Sequence, residues 1–283
     1  MEISGGAKSR KKLVAAWVLV VFTGLFFSTA YNFRWHIISG FQQLSQRFAQ
    51  GREYDRVEHA REEKSGDIKK LFADAGLNYP PAGIFLRVFK AEGELELWAQ
   101  AEADGKFKFL KTYNICKKSG APGPKRKQGD GQVPEGFYRI TSFNPSSLFW
   151  LSMQINYPNE SDRILSRRLG FSDPGGDIFI HGSCVSIGCI PIKDQWIKEL
   201  YLIALDSRTA NPAAVHIFPA RMDGVEMSRI LASSPEALAS GEDLRGFWSQ
   251  LKIGYDYFEQ NRLLPDMKVD KDGRYVLRSN PPE

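Results

Sequence analysis

His181 and Cys189 stand eight positions apart in the stretch Asp177–Ile192, DIFIHGSCVSIGCIPI, and their residue types suit nucleophilic chemistry. A thiolate attacks carbonyl carbon readily, and a nearby imidazole can take the thiol proton and later hand it to a leaving group. Gly182 and Gly188 lie between the two, so the backbone can come close to a ligand there. The expected roles are Cys189 as nucleophile and His181 as general base and acid. The Gly188 and Cys189 amides are expected as oxyanion donors, with Ser186 shaping the loop. Two other readings use the same residues. His181, Cys184 and Cys189, with Cys116 as a fourth, form a conceivable zinc set, although no CxxC pair is present and Val185, Ile187 and Ile190 make the loop apolar. Alternatively, the thiol is buried and inert beside a core histidine.

The elements that must position these groups can be read from the patterning. Ile178–Ile180 reads as a buried strand that ends at His181-Gly182. Beyond the loop, Asp194–Asp206 reads as a helix with Asp194 as N-cap and an apolar face of Trp196, Ile197, Leu200, Tyr201 and Ile203. Upstream, Ile84–Lys90 and Glu94–Ala99 alternate around the hairpin signal Glu92-Gly93, and Phe107–Ile115 adds a third strand. Lys117–Val133 is a long Gly/Pro/Lys loop, and Phe137–Thr141 returns to strand. Phe143–Ser161, rich in Asn, Ser and aromatics, is expected to wall a substrate cleft, and Asp162–Leu169 is helix or loop. Ala214–Phe218 is a strand closed by Pro219. Gly246–Arg262 is a helix whose Trp248, Leu251, Ile253, Tyr257 and Phe258 face the core, and Lys268–Arg278 a hairpin around Asp272-Gly273.

With 283 residues, 42% of them apolar, the chain can bury a full core. Its net charge of +5 is modest and spread out, with the densest clusters at Lys8–Lys12 and Lys125–Lys127. No nucleic-acid recognition motif accompanies those clusters, so no nucleic-acid partner is expected, whereas a cationic surface suits an acidic polymer. Arg10-Lys11-Lys12 precedes an uncharged run, Leu13–Phe33, with Ser28-Thr29-Ala30 as a cleavage candidate and Tyr31, Phe33 and Trp35 as an aromatic fringe. Both a cleaved signal and a membrane anchor are consistent with this, and either places the body outside the cytoplasm. Three cysteines leave at least one thiol unpaired; whether Cys116 or Cys184 pairs stays open. His36–Lys64 is expected as a helical stalk carrying Phe41, Leu44 and Phe48. A short helix, Asp67–Ala75, comes next and is stopped by Gly76, with Pro80-Pro81 marking a boundary.

HG followed by S-x-G-C-I resembles the signature of the L,D-transpeptidases (YkuD-type catalytic domain). Lys117–Gly120, Gly123–Lys125, Gly129–Gly131 and Pro134–Tyr138 resemble that family as well. The short HG-to-GC interval and Tyr157-Pro158-Asn159 resemble its murein-lipoprotein-processing branch. The resemblance covers roughly 81–222. It implies a β-rich α+β fold, sandwich-like in its sheet arrangement, and cysteine acyl transfer on peptidoglycan stem peptides at the third-position diamino acid. It implies no metal and no organic cofactor, and on the periplasmic face a wall-linked lipoprotein is a candidate partner. One departure is informative: Pro191 stands where the family usually has Arg. Hydrolytic release of a wall-linked amine is therefore expected over new cross-links, unless Arg139, Arg163 or Lys125 replaces that cation. The resulting organisation is signal or anchor at 1–35, stalk at 36–80, catalytic domain at 81–222 and a packed extension at 223–283.

Overall fold

The computed structural model describes residues 53–103, 105–207, 212–233 and 242–278, so the expected signal or anchor and Phe41, Leu44 and Phe48 lie outside the described residues. Among the described residues no helix is long and apolar enough to cross a membrane. The first described element is one continuous helix, α1 (Glu53–Asp74), which runs through both the end of the expected stalk and the expected short helix. It ends in paired bonds from Gly76 N–H to the Ala73 carbonyl and from Leu77 N–H to the Phe72 carbonyl, both 2.9 Å, with Gly76 at φ +64°. Ala60, Lys64, Ile68 and Phe72 recur every fourth residue and so share one stripe of the helix. Ala60, Ile68 and Phe72 are buried in the main core, so residues 53–80 belong to the body. The lysine within the stripe hid it, because its stem can lie along apolar surface while its charge stays wet.

The expected meander is present as β1 (Gly83–Phe89), β2 (Glu94–Gln100) and β3 (Lys108–Asn114). Next come β4 (Gly136–Asn144), β5 (Ser152–Ile155) and α2 (Glu160–Arg168), capped by Asn159 in a reciprocal box with Asp162. The stretch 143–161 thus holds the end of β4, all of β5 and the start of α2, joined by turns. Its Asn and Ser content obscures a strand only four residues long. Then come β6 (Phe179–His181), β7 (Ile190–Pro191), α3 (Asp194–Asp206), β8 (Ala214–Phe218), α4 (Val225–Ala232), α5 (Leu244–Asn261), β9 (Met267–Val269) and β10 (Tyr275–Leu277).

The fold is mixed α+β, built on one large curled eight-stranded sheet in the order β3-β2-β1-β8-β4-β5-β6-β7, with β9 and β10 as a separate pair. Strand β1 pairs in parallel with β8, so it is central and covered on both faces. Its alternate residues divide accordingly. Ile84, Leu86 and Val88 join α1 and α3 in the main core, while Phe89 packs with Trp248, Leu251 and Tyr255 of α5. Burial on both faces explains why its run is almost continuously apolar. The one charge in it, Arg87, is buried and offset by Glu96 at 2.8 Å and Glu259 at 2.5 Å. Ile253, expected on the buried side of α5, is 46% exposed.

Candidate active site

Strands β6 and β7 run parallel, Ile180 opposite Ile190 and His181 opposite Pro191. Cys189, one residue before Ile190, therefore falls beside Phe179. Partners in parallel strands project to the same face, and so do residues two apart on one strand. The thiol and the imidazole consequently share a face, offset by two residues along it. Ile180 and Ile190 point the other way, into the core.

His181 is buried, and its Nδ1 lies 2.5 Å from the Gly182 carbonyl. A carbonyl can only accept, so Nδ1 carries the proton and Nε2 keeps its lone pair. Phe149 stacks on the ring with centroids 4.6 Å apart and planes at 33°. Burial pushes the imidazole pKa below its ordinary value, with the Gly182 carbonyl pulling the other way. Burial likewise pushes the Cys189 thiol up; the Phe179 backbone opposes this and the Asp177 charge adds to it. The thiol donates to the Asp177 carbonyl at 3.6 Å. Both shifts favour the uncharged forms, a thiol and an unprotonated imidazole.

The loop between them is braced at four points. Gly188 has φ +134°, and a Cβ there would come within 3.0 Å of the Gln132 carbonyl, so a side chain is excluded by both strain and space. Ser186 Oγ donates to the Cys189 carbonyl at 2.7 Å and accepts from the Gly188 N–H at 3.1 Å. The Gly188 amide, expected as an oxyanion donor, is therefore committed within the loop, which leaves Cys189 N–H as the motif's candidate donor. Cys116 and Cys184 form a disulfide, Cα atoms 5.7 Å apart, and Cys189 is the free cysteine. Two of the four conceivable zinc ligands are thereby joined to each other. Asp194 Oδ1 accepts from Ser183 N–H at 2.6 Å. It is not the helix N-cap; Lys193 holds that position at φ +67°, without a side-chain bond. A carboxylate in the first turn still suits the helix dipole while it ties α3 to the loop.

Cys189 and Ile190 line an open groove of about 230 Å³ together with Val88, Lys90, Lys117 and Lys118. Lys90 is committed to the Gly123 and Val133 carbonyls, at 2.6 and 2.9 Å, and to Glu135 at 2.8 Å. Lys118 donates to the Ala91 carbonyl. Lys117 is exposed and makes no ion pair among the described residues. The other long-loop cations are structural. Lys125 and Arg126 are 5% and 4% exposed; Lys125 holds Asp130 at 2.8 Å, and Arg126 holds Asp162 at 3.0 Å and Glu242 at 2.7 Å. The cluster expected as a cationic surface at 125–127 is thus mostly interior, and Arg139 and Arg163 do not line the groove. No local feature of the sequence separates the free Lys117 from its committed neighbours.

A family model for the L,D-transpeptidase catalytic domain (YkuD) matches residues 100–217. YafK of Escherichia coli (strain K12), which bears the L,D-transpeptidase name, is 35% identical over 198 residues, 69% of this chain and 73% of YafK. Among solved structures, the helical cell shape determining protein Pgp2 from Campylobacter jejuni matches with TM-score 0.40 and 18% identity, covering 66% of this chain and 73% of its own. Bd1075 of Bdellovibrio bacteriovorus matches with TM-score 0.35 and 19% identity, covering 70% and 77%.

Proposed function

The chain belongs to the L,D-transpeptidase (YkuD) family, and from that premise we propose that it is a cysteine acyl-transfer enzyme acting on peptidoglycan stem peptides at the third-position diamino acid, with hydrolytic release of a wall-linked lipoprotein or amine as its outcome. The observation that carries this reading is the free thiol of Cys189 in the wall of a groove, on the same sheet face as, and two residues along from, an imidazole whose Nδ1 faces a carbonyl and whose Nε2 keeps its lone pair. Cys189 Sγ attacks the carbonyl carbon while His181 Nε2 takes the thiol proton. The oxyanion forms within reach of the Cys189 N–H. Collapse of the tetrahedral intermediate leaves a thioester, and His181 passes its proton to the departing amine. His181 then draws a proton from water, water attacks the thioester, and the proton returns to sulfur.

The strand just beyond the nucleophile favours water as acceptor. Pro191 is buried, and its carbonyl accepts from Cys116 N–H at 3.0 Å, so the strand presents no guanidinium to hold a second peptide. Transfer to an amine requires that second peptide to be held in line, whereas hydrolysis does not. Lys117 supplies a cation for a carboxylate of the bound stem. An exported location at the outer side of the cytoplasmic membrane belongs to the same proposal and rests on Arg10–Lys12 preceding Leu13–Phe33. The test offers the protein lipoprotein-bearing sacculi and, in parallel, tetrapeptide-rich sacculi without lipoprotein. Released lipoprotein supports the proposal. New diamino acid–diamino acid dimers from the second substrate, with no release from the first, would replace it with cross-linking.

A further inference from the structure

We propose that Arg56, on the first turns of α1, is a positioning residue that holds the base His181 in its working orientation by fixing the loop that carries Phe149. The inference rests on the reading of His181 as the base. Arg56 Nη1 donates to the Ser147 carbonyl at 2.7 Å and to the Trp150 carbonyl at 2.9 Å, and its guanidinium lies 5.2 Å from the centre of the Trp150 ring. One charged donor thus bridges two carbonyls three residues apart, which is the strong form of a side chain to backbone bond.

The loop needs such a tie. Trp150 sits at φ +77°, a region that a bulky residue enters only where its surroundings hold it, at roughly 1–3 kcal/mol. Within the loop, Ser147 Oγ accepts from Phe149 N–H at 3.1 Å and Asn144 Oδ1 from Ser146 N–H at 2.9 Å, but these are local bonds that travel with the segment. Arg56 joins it to a different element, more than 90 residues away in sequence.

What the loop delivers is Phe149. Its ring covers one side of the His181 imidazole, and its carbonyl lies 2.6 Å from where a Cβ on Gly182 would stand. Gly182 is therefore the residue that lets this loop close on the base. The Nδ1 bond to the Gly182 carbonyl fixes one edge of the ring, and a hydrogen bond at one edge leaves rotation about it open. The stack removes that freedom. The docking of α1 itself does not depend on Arg56, because Arg61 makes a two-point pair with Asp206 at 2.7 and 2.9 Å.

The experiment measures kcat, KM and thermal unfolding on the full chain for Arg56→Ala, Arg56→Lys, Phe149→Ala, Phe149→Tyr, the double variant Arg56→Ala/Phe149→Ala, and Arg61→Ala as a control on the same helix. Arg56→Ala is expected to lower kcat about tenfold with KM within about twofold, since a small misplacement of a catalytic group falls on the chemical step. Phe149→Ala should do the same, the double variant should be no slower than the slower single, and Phe149→Tyr should restore the rate. Arg61→Ala should lower the unfolding temperature and leave kcat near wild type. Equal kcat losses in Arg56→Ala and Arg61→Ala, or multiplicative losses in the double variant, would overturn the proposal. If Arg56→Ala does not fold, Arg56→Lys, which keeps the charge but not the two-carbonyl geometry, decides on the same criteria. A His181→Ala protein at full rate would instead overturn the reading of the base.

Discussion

His181 donates from Nδ1 to the carbonyl of its own neighbour Gly182, at 2.5 Å, and this one contact leaves the ring's lone pair on Nε2. A carboxylate in that place would favour the protonated ring through its charge. A carbonyl fixes the tautomer with a dipole alone, and burial then keeps the imidazole unprotonated near neutral pH.

Protonated His181 cannot accept the thiol proton, so kcat/KM should rise as the imidazole loses its proton. Because its pKa is lowered, the midpoint of that acid limb should lie below the ordinary 6.5. The same sign applies to stability: the contribution from neutral His181 is complete above 6.5 and is lost as pH falls through the lower folded value. In His181→Ala, acylation should slow by about two to four orders of magnitude while circular dichroism stays native. There, iodoacetamide labelling of Cys189 should titrate above the ordinary thiol range. An acid limb at or above 6.5, or unchanged acylation, would contradict the role of His181 as the base.

Thiol counting tests the cysteine assignment. Denatured but unreduced protein should show one titratable thiol, and reduced protein three. Cys184→Ser should lower stability by about 2–4 kcal/mol, since the closed loop is long, and should reduce but not abolish turnover. Three thiols without reduction would remove the brace between the 116–121 segment and the motif loop.

His181 and Cys189 are legible in the sequence because their chemistry depends on local spacing, in one strand and one loop. The strands flanking Glu92-Gly93 and the helix beginning at Asp194 are legible by period alone. What escapes depends on distant partners or on a side chain folding back. The Gly188 amide reads as free because nothing in the sequence says that Ser186 Oγ will turn back on it. Arg126 reads as surface because its partners, Asp162 and Glu242, lie 36 and 116 residues away. Strand β7 is two residues long and includes a proline, so it carries no alternation to read.

Lys117 should govern binding rather than chemistry. Lys117→Ala is expected to raise KM about tenfold for stem peptides with a free carboxylate and to leave kcat within about twofold, with Lys117→Arg near wild type. Substrate amidated at its carboxylates should be indifferent to the change. Equal KM for both substrates in the wild type would contradict the assignment.

Glu135, fully buried, accepts from Lys90 and Gly123 N–H on one oxygen and from Trp248 on the other, each at 2.8 Å. It ties the long loop to β1 and α5 behind the groove. Glu135→Ala would leave the Lys90 ammonium buried beside carbonyls only, and should destabilise the fold by about 3–5 kcal/mol in urea unfolding. A loss below about 1 kcal/mol would mean that the pair contributes little to holding the loop.

Every step proposed above depends on Cys189 carrying the acyl group. Intact-protein mass spectrometry after incubation with a soluble tetrapeptide stem should find a mass gain equal to the stem less its whole terminal amino acid, which leaves as the free amine. That adduct should map to the peptide containing Cys189, be released by hydroxylamine, and be absent in Cys189→Ala. An adduct on another residue, or turnover of peptidoglycan by folded Cys189→Ala protein, would contradict it.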